Sequence, residues 1–283
     1  MKLKSLIASL LIVLVSQSYA QKVTTGPENG HLIIAGGALR DARVFDKFIE
    51  LSGGADALIV VIPTAGGYEV TEQSKNQIIA QWKRRGANNV KVLHTTDPKE
   101  ADKEAFAKII DDAGGVWFPG GRQWRLADSY LNTKVHNKLN ALLARDGVIG
   151  GSSAGATIQG SYLARGDTKT NTIMVGDHEE GLGFVKNIAI DQHTLARNRH
   201  YDMFEILDVY PDLLGMAIDE NTAVLVTGNS FEVLGQHYVL IYDGTYWNQK
   251  TNSYEKGDKV FHLMRAGGKY DMSTRKVIPR ERN

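Results

Sequence analysis

The sequence predicts an α/β protein whose mostly parallel sheet is covered by helices on both faces, with antiparallel strands added toward the C-terminus. From residue 31 to residue 150, short apolar runs alternate with segments of helical period. The run at 57–62 is continuously apolar, which is typical of a strand buried on both faces. After about residue 214, β-rich runs are instead separated by Gly-Asn or Asp-Gly turns.

Five strands and their intervening helices account for the first half of the chain. The predicted strands are 31–37, 57–62, 90–93, 115–118 and 148–150. Apolar residues three and four positions apart mark helices around 45–49, 78–82, 106–110 and 135–143. Strands that alternate with helices form right-handed crossovers and a parallel sheet. Ligands of such sheets bind beyond the carboxyl ends of the strands, so the loops that follow strands are the first places to search.

The C-terminal runs at 223–227, 231–234 and 238–242 are predicted to be antiparallel strands that extend one edge of the same sheet. The sequence contains no Pro- or Ser-rich linker, repeat or low-complexity tract between these runs and the preceding segments. We therefore expect residues 21–283 to form a single domain.

The first twenty residues have the features of a secretory signal peptide. Lys2 and Lys4 precede an apolar run at 6–15, and the small residues Ser18 and Ala20 follow it. A helix of ten residues rises only about 15 Å, half of a bilayer core, which argues against a membrane anchor. We expect cleavage after Ala20 and a periplasmic or secreted protein that has no membrane association afterwards.

Composition excludes several classes of function. Lys and Arg number 33 against 32 Asp and Glu, so a net charge of +1 provides no general attraction to nucleic acid. The chain has no cysteine, which excludes disulfides, thiolate metal sites and cysteine nucleophiles. His178 precedes two glutamates but has no second histidine at metal-binding spacing. No metal and no cofactor are expected.

The segment at 148–157, VIGGSSAGAT, contains the candidate nucleophile. Residues 151–155 match the G-x-S-x-G elbow, in which a serine lies on a sharp turn between a strand and a helix. Only small neighbours leave room for that turn, and the first amides of the helix point toward the reacting carbonyl. Ser153 is the predicted nucleophile. The alternatives are a Gly/Ser-rich loop that binds an anion, or a tight turn without function.

A nucleophilic serine needs a base, and His193 is the candidate because it follows a short predicted strand at 188–190. A third group should orient its imidazole. Among the acids between Ser153 and His193 we favour Asp167, which follows a glycine at the end of a helical segment. The alternative for Asp167 is a solvated turn or cap residue.

Three motifs, in chain order, resemble the cyanophycinase and dipeptidase E family of serine peptidases. They are FPGGRQ at 118–123, GGSSAGA at 150–156, and DQH at 191–193 followed by Arg197 and Arg199. Shorter matches at 36–37, 62–65 and 218–223 extend the resemblance over roughly residues 30 to 227. It implies a three-layer α/β/α fold similar to class I glutamine amidotransferases, with serine in place of their cysteine.

The resemblance also implies roles for individual residues. Ser153 and His193 would be nucleophile and base. The oxyanion hole would be formed by the backbone around Gly120 and Gly121 and by the amide of Ala154. Aspartyl units would be recognised in a pocket lined by Gln123, Arg197 and Arg199.

Two positions depart from the family pattern. Arg122 stands where the family commonly has Asp or Asn, and Thr194 stands where cyanophycinases usually carry Phe. The spacing of Arg197 and Arg199 also fits a solvated helix start paired with Asp202 or Glu205.

Together these features predict an exported serine peptidase that hydrolyses short or aspartyl-containing peptides through an acyl-enzyme. The expected partner is a peptide substrate, and a homodimer is expected at the level of the family. One alternative is a non-catalytic protein that binds acidic peptides or metabolites in the same pocket. Another is an esterase of the α/β-hydrolase fold, although the His-Gly-Gly-Gly oxyanion loop of such enzymes is absent.

Overall fold

The computed structural model describes residues 23–67, 69–244 and 260–280 together with the backbone of 247–248 and 253–254. The predicted signal peptide at 1–20 lies outside the described residues. The strands are His31–Ala35 (β1), Ile59–Val61 (β2), Val90–Val92 (β3), Gly115–Phe118 (β4), Val148–Ser152 (β5), Gly160–Tyr162 (β6), Val185–Gln192 (β7), Leu214–Ile218 (β8), Thr222–Thr227 (β9), Ser230–Gly235 (β10), Tyr238–Tyr242 (β11), Trp247–Asn248 (β12), Ser253–Tyr254 (β13), His262–Arg265 (β14), Lys269–Asp271 (β15) and Lys276–Ile278 (β16).

The α-helices are Ala42–Leu51 (α1), Glu72–Arg84 (α2), Pro98–Ala101 (α3), Glu104–Ala107 (α4), Gln123–Tyr130 (α5), Lys134–Ala144 (α6), Ala154–Thr157 (α7) and Met203–Val209 (α8). Asp41, Thr71 and Thr133 cap α1, α2 and α6, each accepting a hydrogen bond from a backbone amide of the first turn. The helix predicted around 106–110 is observed as α4 followed by a 3₁₀ helix at Lys108–Asp112, and the short α3 precedes it. No helix among the described residues is long and apolar enough to cross a bilayer.

The main sheet has nine strands in the order β16-β15-β10-β9-β1-β5-β4-β2-β3. Its five strands from β1 to β3 pair in parallel, as the alternation of strands and helices predicts. On the other side of β1, β9 and β10 pair in antiparallel fashion. The α/β class, the parallel strands and the antiparallel C-terminal extension are therefore confirmed.

A second sheet, in the order β14-β11-β8-β7-β6, was not expected. The run at 238–242 forms β11, which pairs with β8 and β14 rather than extending the main sheet, so that part of the prediction is wrong. Gly235 ends β10 with φ 96°, and a Cβ there would lie 2.5 Å from the carbonyl oxygen of Asn221. This turn, which favours glycine, redirects the chain from one sheet to the other.

Buried apolar residues lie on both faces of the main sheet. Helices α1 and α2 cover one face with an aromatic cluster of Phe45, Phe48, Trp82 and Trp117, whose ring centroids lie 5.0–5.8 Å apart. Helices α3 to α7 and the second sheet pack against the other face. Because β5 lies between β1 and β4, its carboxyl end is surrounded by loops from both layers.

Candidate active site

Ser153 occupies a strained turn between β5 and α7. Its backbone has φ 58° and ψ −114°, a combination that only a tightly determined surrounding can hold. A Cβ on Gly151 would lie 2.1 Å from the carbonyl oxygen of Gly155, and one on Gly155 would lie 1.9 Å from that of Phe118. The two glycines of the G-x-S-x-G pattern are therefore required by close approach of the backbone.

The imidazole of His193 reaches this serine from the end of β7, in the second sheet. Its Nε2 lies 3.0 Å from Ser153 Oγ, and its Nδ1 lies 2.6 Å from Oε1 of Glu220. Glu220 follows β8, the neighbour of β7, so both side chains rise from adjacent strand ends. A serine, an imidazole and a carboxylate in this order form the hydrogen-bonded chain that activates a nucleophile.

The structure corrects the prediction for Asp167. Its Oδ1 accepts hydrogen bonds from the amides of Lys169 (2.9 Å) and Thr170 (2.8 Å), so the carboxylate closes a local turn. The guanidinium of Arg122 donates to the carbonyl oxygens of Asp167 and Thr170 and fixes the same turn. The carboxylate beside His193 belongs to Glu220, which lies after His193 in the chain.

Gly37 leaves the space that the imidazole ring of His193 occupies. It follows β1 with φ 114°, and a Cβ built on it would lie 2.2–2.8 Å from three atoms of the His193 ring. The amide of His193 donates to the carbonyl oxygen of Gly36 at 2.8 Å. The glycine pair after β1 therefore gives the ring the space and the backbone contact that hold it above Ser153.

The segment 219–222, which includes Glu220, binds the loop after β1 and the turn after His193. Asp219 Oδ1 accepts from the amides of Leu195 and Ala196, which form the turn after His193. The amide of Asn221 donates to the carbonyl oxygen of Gly37, and Asn221 Oδ1 accepts from the amides of Arg40 and Asp41. The motif at 218–223 contributes to the resemblance to the cyanophycinase and dipeptidase E family, but no role was predicted for Glu220. Its position two residues after the end of an apolar run at 214–218 is the signal that could have found it.

The electrostatic environment favours a neutral imidazole. Burial lowers the pKa of His193, Glu220 raises it, and the positive charges of Arg197 and Arg199 lower it, with a net shift below the ordinary value. A lowered pKa favours the neutral imidazole that a general base requires.

Backbone amides suited to an oxyanion lie beside Ser153. Gly120 lies so close that a Cβ on it would be 3.2 Å from Ser153 Cβ and 3.6 Å from Oγ. Gly121 has φ 146°, and a Cβ there would lie 2.0 Å from the carbonyl oxygen of Ala65. Among the described residues, the amides of Gly120, Gly121 and Ala154 have no protein acceptor. They are free to donate to a developing negative charge.

Two arginines follow the imidazole. Arg197 is exposed, whereas Arg199 is 8% exposed and donates to the carbonyl oxygen of Gln192 at 3.3 Å. In the described part of the chain neither guanidinium has a carboxylate within 4 Å, so the alternative of a pairing with Asp202 or Glu205 is not observed. The two cations therefore remain available to an acidic ligand.

Gln123 does not line the substrate pocket as the resemblance implies. Its side chain is 2% exposed, and Nε2 donates to the carbonyl oxygens of Ala164 and Arg165 at 2.8 Å each. These bonds fasten the start of α5 to the segment after β6. Gln123 is thus a buried support of the loop that carries Gly120 and Gly121.

A buried ion-pair network supports the end of β7. Arg165, 1% exposed, donates through Nε and one terminal nitrogen to Asp191 at 2.8 and 3.0 Å, and to Asp202 at 2.5 Å. Burial acts against the charge, but the bonds to Asp191 and Asp202 raise the pKa of Arg165 above its ordinary value. Asp191 lies two residues before His193, so the network fixes the strand end that presents the imidazole.

Residues that combine into a metal site are not found within the described ranges. His178 instead contacts Asp128 at 2.8 Å and Asp177 at 3.0 Å.

Comparison with known proteins identifies the family of this chain. The model of peptidase family S51 matches residues 32–234, well over half of the chain. A cyanophycinase from Geminocystis herdmanii is 27% identical over 263 residues, which cover 86% of this chain and 94% of that protein. A cyanophycinase from Synechococcus elongatus is 28% identical over 271 residues, covering 90% and 84%.

The crystal structure of a peptidase from an acI-B1 actinobacterium has a similar fold, with a TM-score of 0.59 and 23% identity. The aligned residues cover 86% of this chain and 97% of the chain in that structure. The chain belongs to peptidase family S51 and is a serine-type peptidase.

Proposed function

We propose that this protein is an exported peptidase that hydrolyses short or aspartyl-containing peptides through an acyl-enzyme on Ser153. The observation that carries the proposal is the hydrogen-bonded chain from Ser153 Oγ to His193 Nε2 (3.0 Å) and from His193 Nδ1 to Glu220 (2.6 Å). This series of hydrogen bonds ends at the hydroxyl of Ser153, which lies on a strained turn beside backbone amides that have no acceptor among the described residues. Such an arrangement suits acyl transfer.

In the first half-reaction, Ser153 Oγ attacks the peptide carbonyl while His193 Nε2 takes its proton. Glu220 accepts the Nδ1 hydrogen bond and stabilises the imidazolium that forms. The amides of Gly120, Gly121 and Ala154 hold the oxyanion. His193 then gives the proton to the leaving amine. In the second half-reaction His193 activates a water molecule that releases the acyl group and restores Ser153.

Preference for acidic peptides is proposed from Arg197 and Arg199. Both lie within six residues of the imidazole, and no carboxylate of the described residues neutralises them at contact distance. A guanidinium binds a carboxylate through paired N–H donors, so a peptide with an aspartyl side chain supplies the missing partner. Cyanophycinases are among the relatives of this chain, and the resemblance to their family implies the same preference for acidic peptides.

Export is proposed from the first twenty residues alone. Lys2 and Lys4, the apolar run at 6–15 and the small residues before position 21 have the order of a signal peptide. The mature chain would begin at residue 21 and act in the periplasm or outside the cell. The absence of cysteine is suited to such an oxidising compartment.

A fluorophosphonate that labels activated serines tests the proposal directly. We expect one label per chain, mapped by peptide mass spectrometry to Ser153, because His193 makes this hydroxyl nucleophilic. Ser153→Ala is the control and should lose both the label and the hydrolysis of acidic dipeptides while retaining its thermal unfolding midpoint. Peptide binding without any label would instead identify a binding protein. Undiminished turnover by Ser153→Ala would overturn the assignment of the nucleophile.

Gly37→Ala should separate the imidazole from the serine. The new Cβ would lie 2.2 Å from the ring, and the φ of 114° is unfavourable for alanine, so the ring must move. A displacement of about 1 Å costs about 100-fold in rate. We expect a loss of that size in kcat and in the rate of fluorophosphonate labelling. Gly54→Ala, at φ 95° with no atom within 4 Å of the new Cβ, is the matched control for backbone strain and should keep near-normal turnover.

A further inference from the structure

Arg122 directly follows the two glycines whose amides lie beside Ser153, and its guanidinium is bound to the main chain of another loop. One terminal nitrogen donates to the carbonyl oxygen of Asp167 at 2.5 Å and to that of Thr170 at 2.8 Å. The Nε atom of Arg122 is buried, so the inner part of the side chain is packed rather than displayed to solvent. These contacts are those of a structural link between two loops.

The turn that Arg122 binds is fixed by its own hydrogen bonds. The amide and the hydroxyl of Thr168 donate to the carboxylate of Asp177 at 2.9 and 2.6 Å. Asp167 Oδ1 closes the same turn by accepting from the amides of Lys169 and Thr170. Both carbonyl oxygens that accept from Arg122 therefore belong to a turn of defined shape, and the guanidinium is anchored to a fixed point.

Gln123 makes a second link from the same loop. Its Nε2 donates to the carbonyl oxygens of Ala164 and Arg165 at 2.8 Å each. The side chain of Arg165 in turn bonds Asp191, which lies two residues before the catalytic imidazole. We call residues 164–170 the brace, because they are bonded at one end to the start of α5 and, through Arg165, to the end of β7.

The glycine loop is held on its other side by the loop after β2. A Cβ on Gly121 would lie 2.0 Å from the carbonyl oxygen of Ala65, and the amide of Arg122 donates to that oxygen at 2.8 Å. The loop is therefore fixed between Ala65 and the brace. Such fixation matters because a donor must lie about 2.7–3.1 Å from the developing oxyanion, and because a displacement of about 1 Å can cost about 100-fold in rate.

We propose that Arg122 is a positioning residue that holds the amides of Gly120 and Gly121 in place for the oxyanion by fastening their loop to the brace. The inference rests on the proposed function, because it assumes that Ser153 is acylated. Arg122 acts through the backbone and does not bind the substrate. The brace thereby sets the oxyanion donors relative to the imidazole, which belongs to the other sheet.

Two assays with three proteins test this role. We would measure kcat and KM for the dipeptide Asp-Leu, and the rate of fluorophosphonate labelling, with wild-type protein, Arg122→Met and Arg145→Met. Arg145 is the matched control because one of its terminal nitrogens also donates to two carbonyl oxygens, those of Ile110 and Ala113, at 2.5 and 3.0 Å. It lies shortly before β5, at the end of that strand opposite Ser153.

We expect Arg122→Met to lower kcat and the labelling rate at least about tenfold, with KM within about threefold of wild type, since only the transition state uses the oxyanion donors. Arg145→Met should keep both rates. Arg122→Lys should recover part of the loss, because an ammonium group can donate to the same carbonyl oxygens. All rates are measured below the thermal unfolding midpoint of each variant, and Arg122→Lys carries the comparison if Arg122→Met does not fold.

The pH profile separates an effect of position from an effect of charge. Burial, Glu220, Arg197 and Arg199 set the pKa of His193. Removing the charge of Arg122 should therefore leave the acidic limb of kcat/KM in place. A limb displaced to higher pH would show that the charge acts on the imidazole and would overturn the positioning role.

The remaining outcomes distinguish the two proposals. A raised KM with unchanged kcat in Arg122→Met would identify a substrate-binding cation, and equal losses in Arg145→Met would indicate general destabilisation. Either result overturns the positioning role and leaves the peptidase proposal intact. If wild-type protein is labelled but does not hydrolyse Asp-Leu, the proposed substrate class fails, and the labelling rates still decide the role of Arg122. Absence of any label on wild-type protein overturns both proposals.

Discussion

Glu220→Gln is expected to lower kcat by about 10⁴-fold, the effect found when the acid of a serine-histidine-acid triad becomes an amide. Glu220 accepts the Nδ1 proton of His193 at 2.6 Å, which leaves Nε2 free to receive the proton of Ser153. Glutamine can present its N–H₂ group to Nδ1 and thereby favour the other tautomer. It also removes the negative charge that stabilises the imidazolium. Steady-state hydrolysis of an acidic dipeptide measures the effect.

Asp167→Asn is the matched control for this experiment because it makes the same chemical change in the carboxylate that the sequence favoured. Asn can still accept from the amides of Lys169 and Thr170, so turnover should remain within a few-fold of wild type. The pH profile provides a second readout. Glu220 raises the pKa of His193, so its neutralisation should move the acidic limb of kcat/KM to lower pH. Equal losses in both variants, or an unmoved limb in Glu220→Gln, would contradict the assignment.

Arg165→Met is expected to reduce the free energy of unfolding by about 3–5 kcal/mol, the usual cost of removing one partner from a buried ion pair. The large effect arises because Asp191 is 1% exposed and loses both of its bonds to Arg165. Asp202 is less affected because its side chain is 32% exposed and regains contact with water. Urea denaturation of the wild-type and variant proteins measures the difference.

Two further variants separate the buried charge from simple loss of packing. Arg165→Met combined with Asp191→Asn should recover part of the lost stability, since no uncompensated charge remains. Lys47→Met removes the exposed pair with Glu50 and should change the free energy of unfolding by less than about 1 kcal/mol. A loss in Arg165→Met as small as that in Lys47→Met would show that the network is not a determinant of stability.

Local sequence patterns were sufficient to select Ser153 and His193, the two side chains that the structure brings within 3.0 Å of each other. Ser153 lies within five residues of everything that defines its elbow, and His193 directly follows a recognisable strand. The hydrogen bond between them shows that both strand ends reach the same point. Glu220 could not be assigned in the same way, because its contact with His193 depends on the pairing of β7 with β8. Asp167 was favoured by its place between Ser153 and His193, but chain order places no restriction on a triad.

The parallel core of the fold was predictable because each strand and helix has its own periodicity. The second sheet was not, since β11 has the same β-rich composition as β9 and β10 and nothing local specifies its neighbours. The turn at Gly235, with its positive φ, directs β11 into the second sheet. In the sequence, Gly235 resembles the glycine of an ordinary hairpin. Gln123 shows the same difficulty for a single residue: a polar side chain at a helix start is as compatible with a buried support as with a pocket wall.

Ser153 directly follows β5 of the nine-stranded sheet, whereas His193 directly follows β7 of the five-stranded sheet and Glu220 lies on the connection from β8 to β9, which joins the two sheets. No single layer therefore holds a working set of reactive groups. A shift of one sheet relative to the other by a fraction of an ångström would separate His193 from Ser153 and abolish activity, although every strand would keep its own hydrogen-bonded partners. Turnover is therefore a more sensitive measure of how the two sheets are aligned than circular dichroism, which reports only the amount of helix and strand.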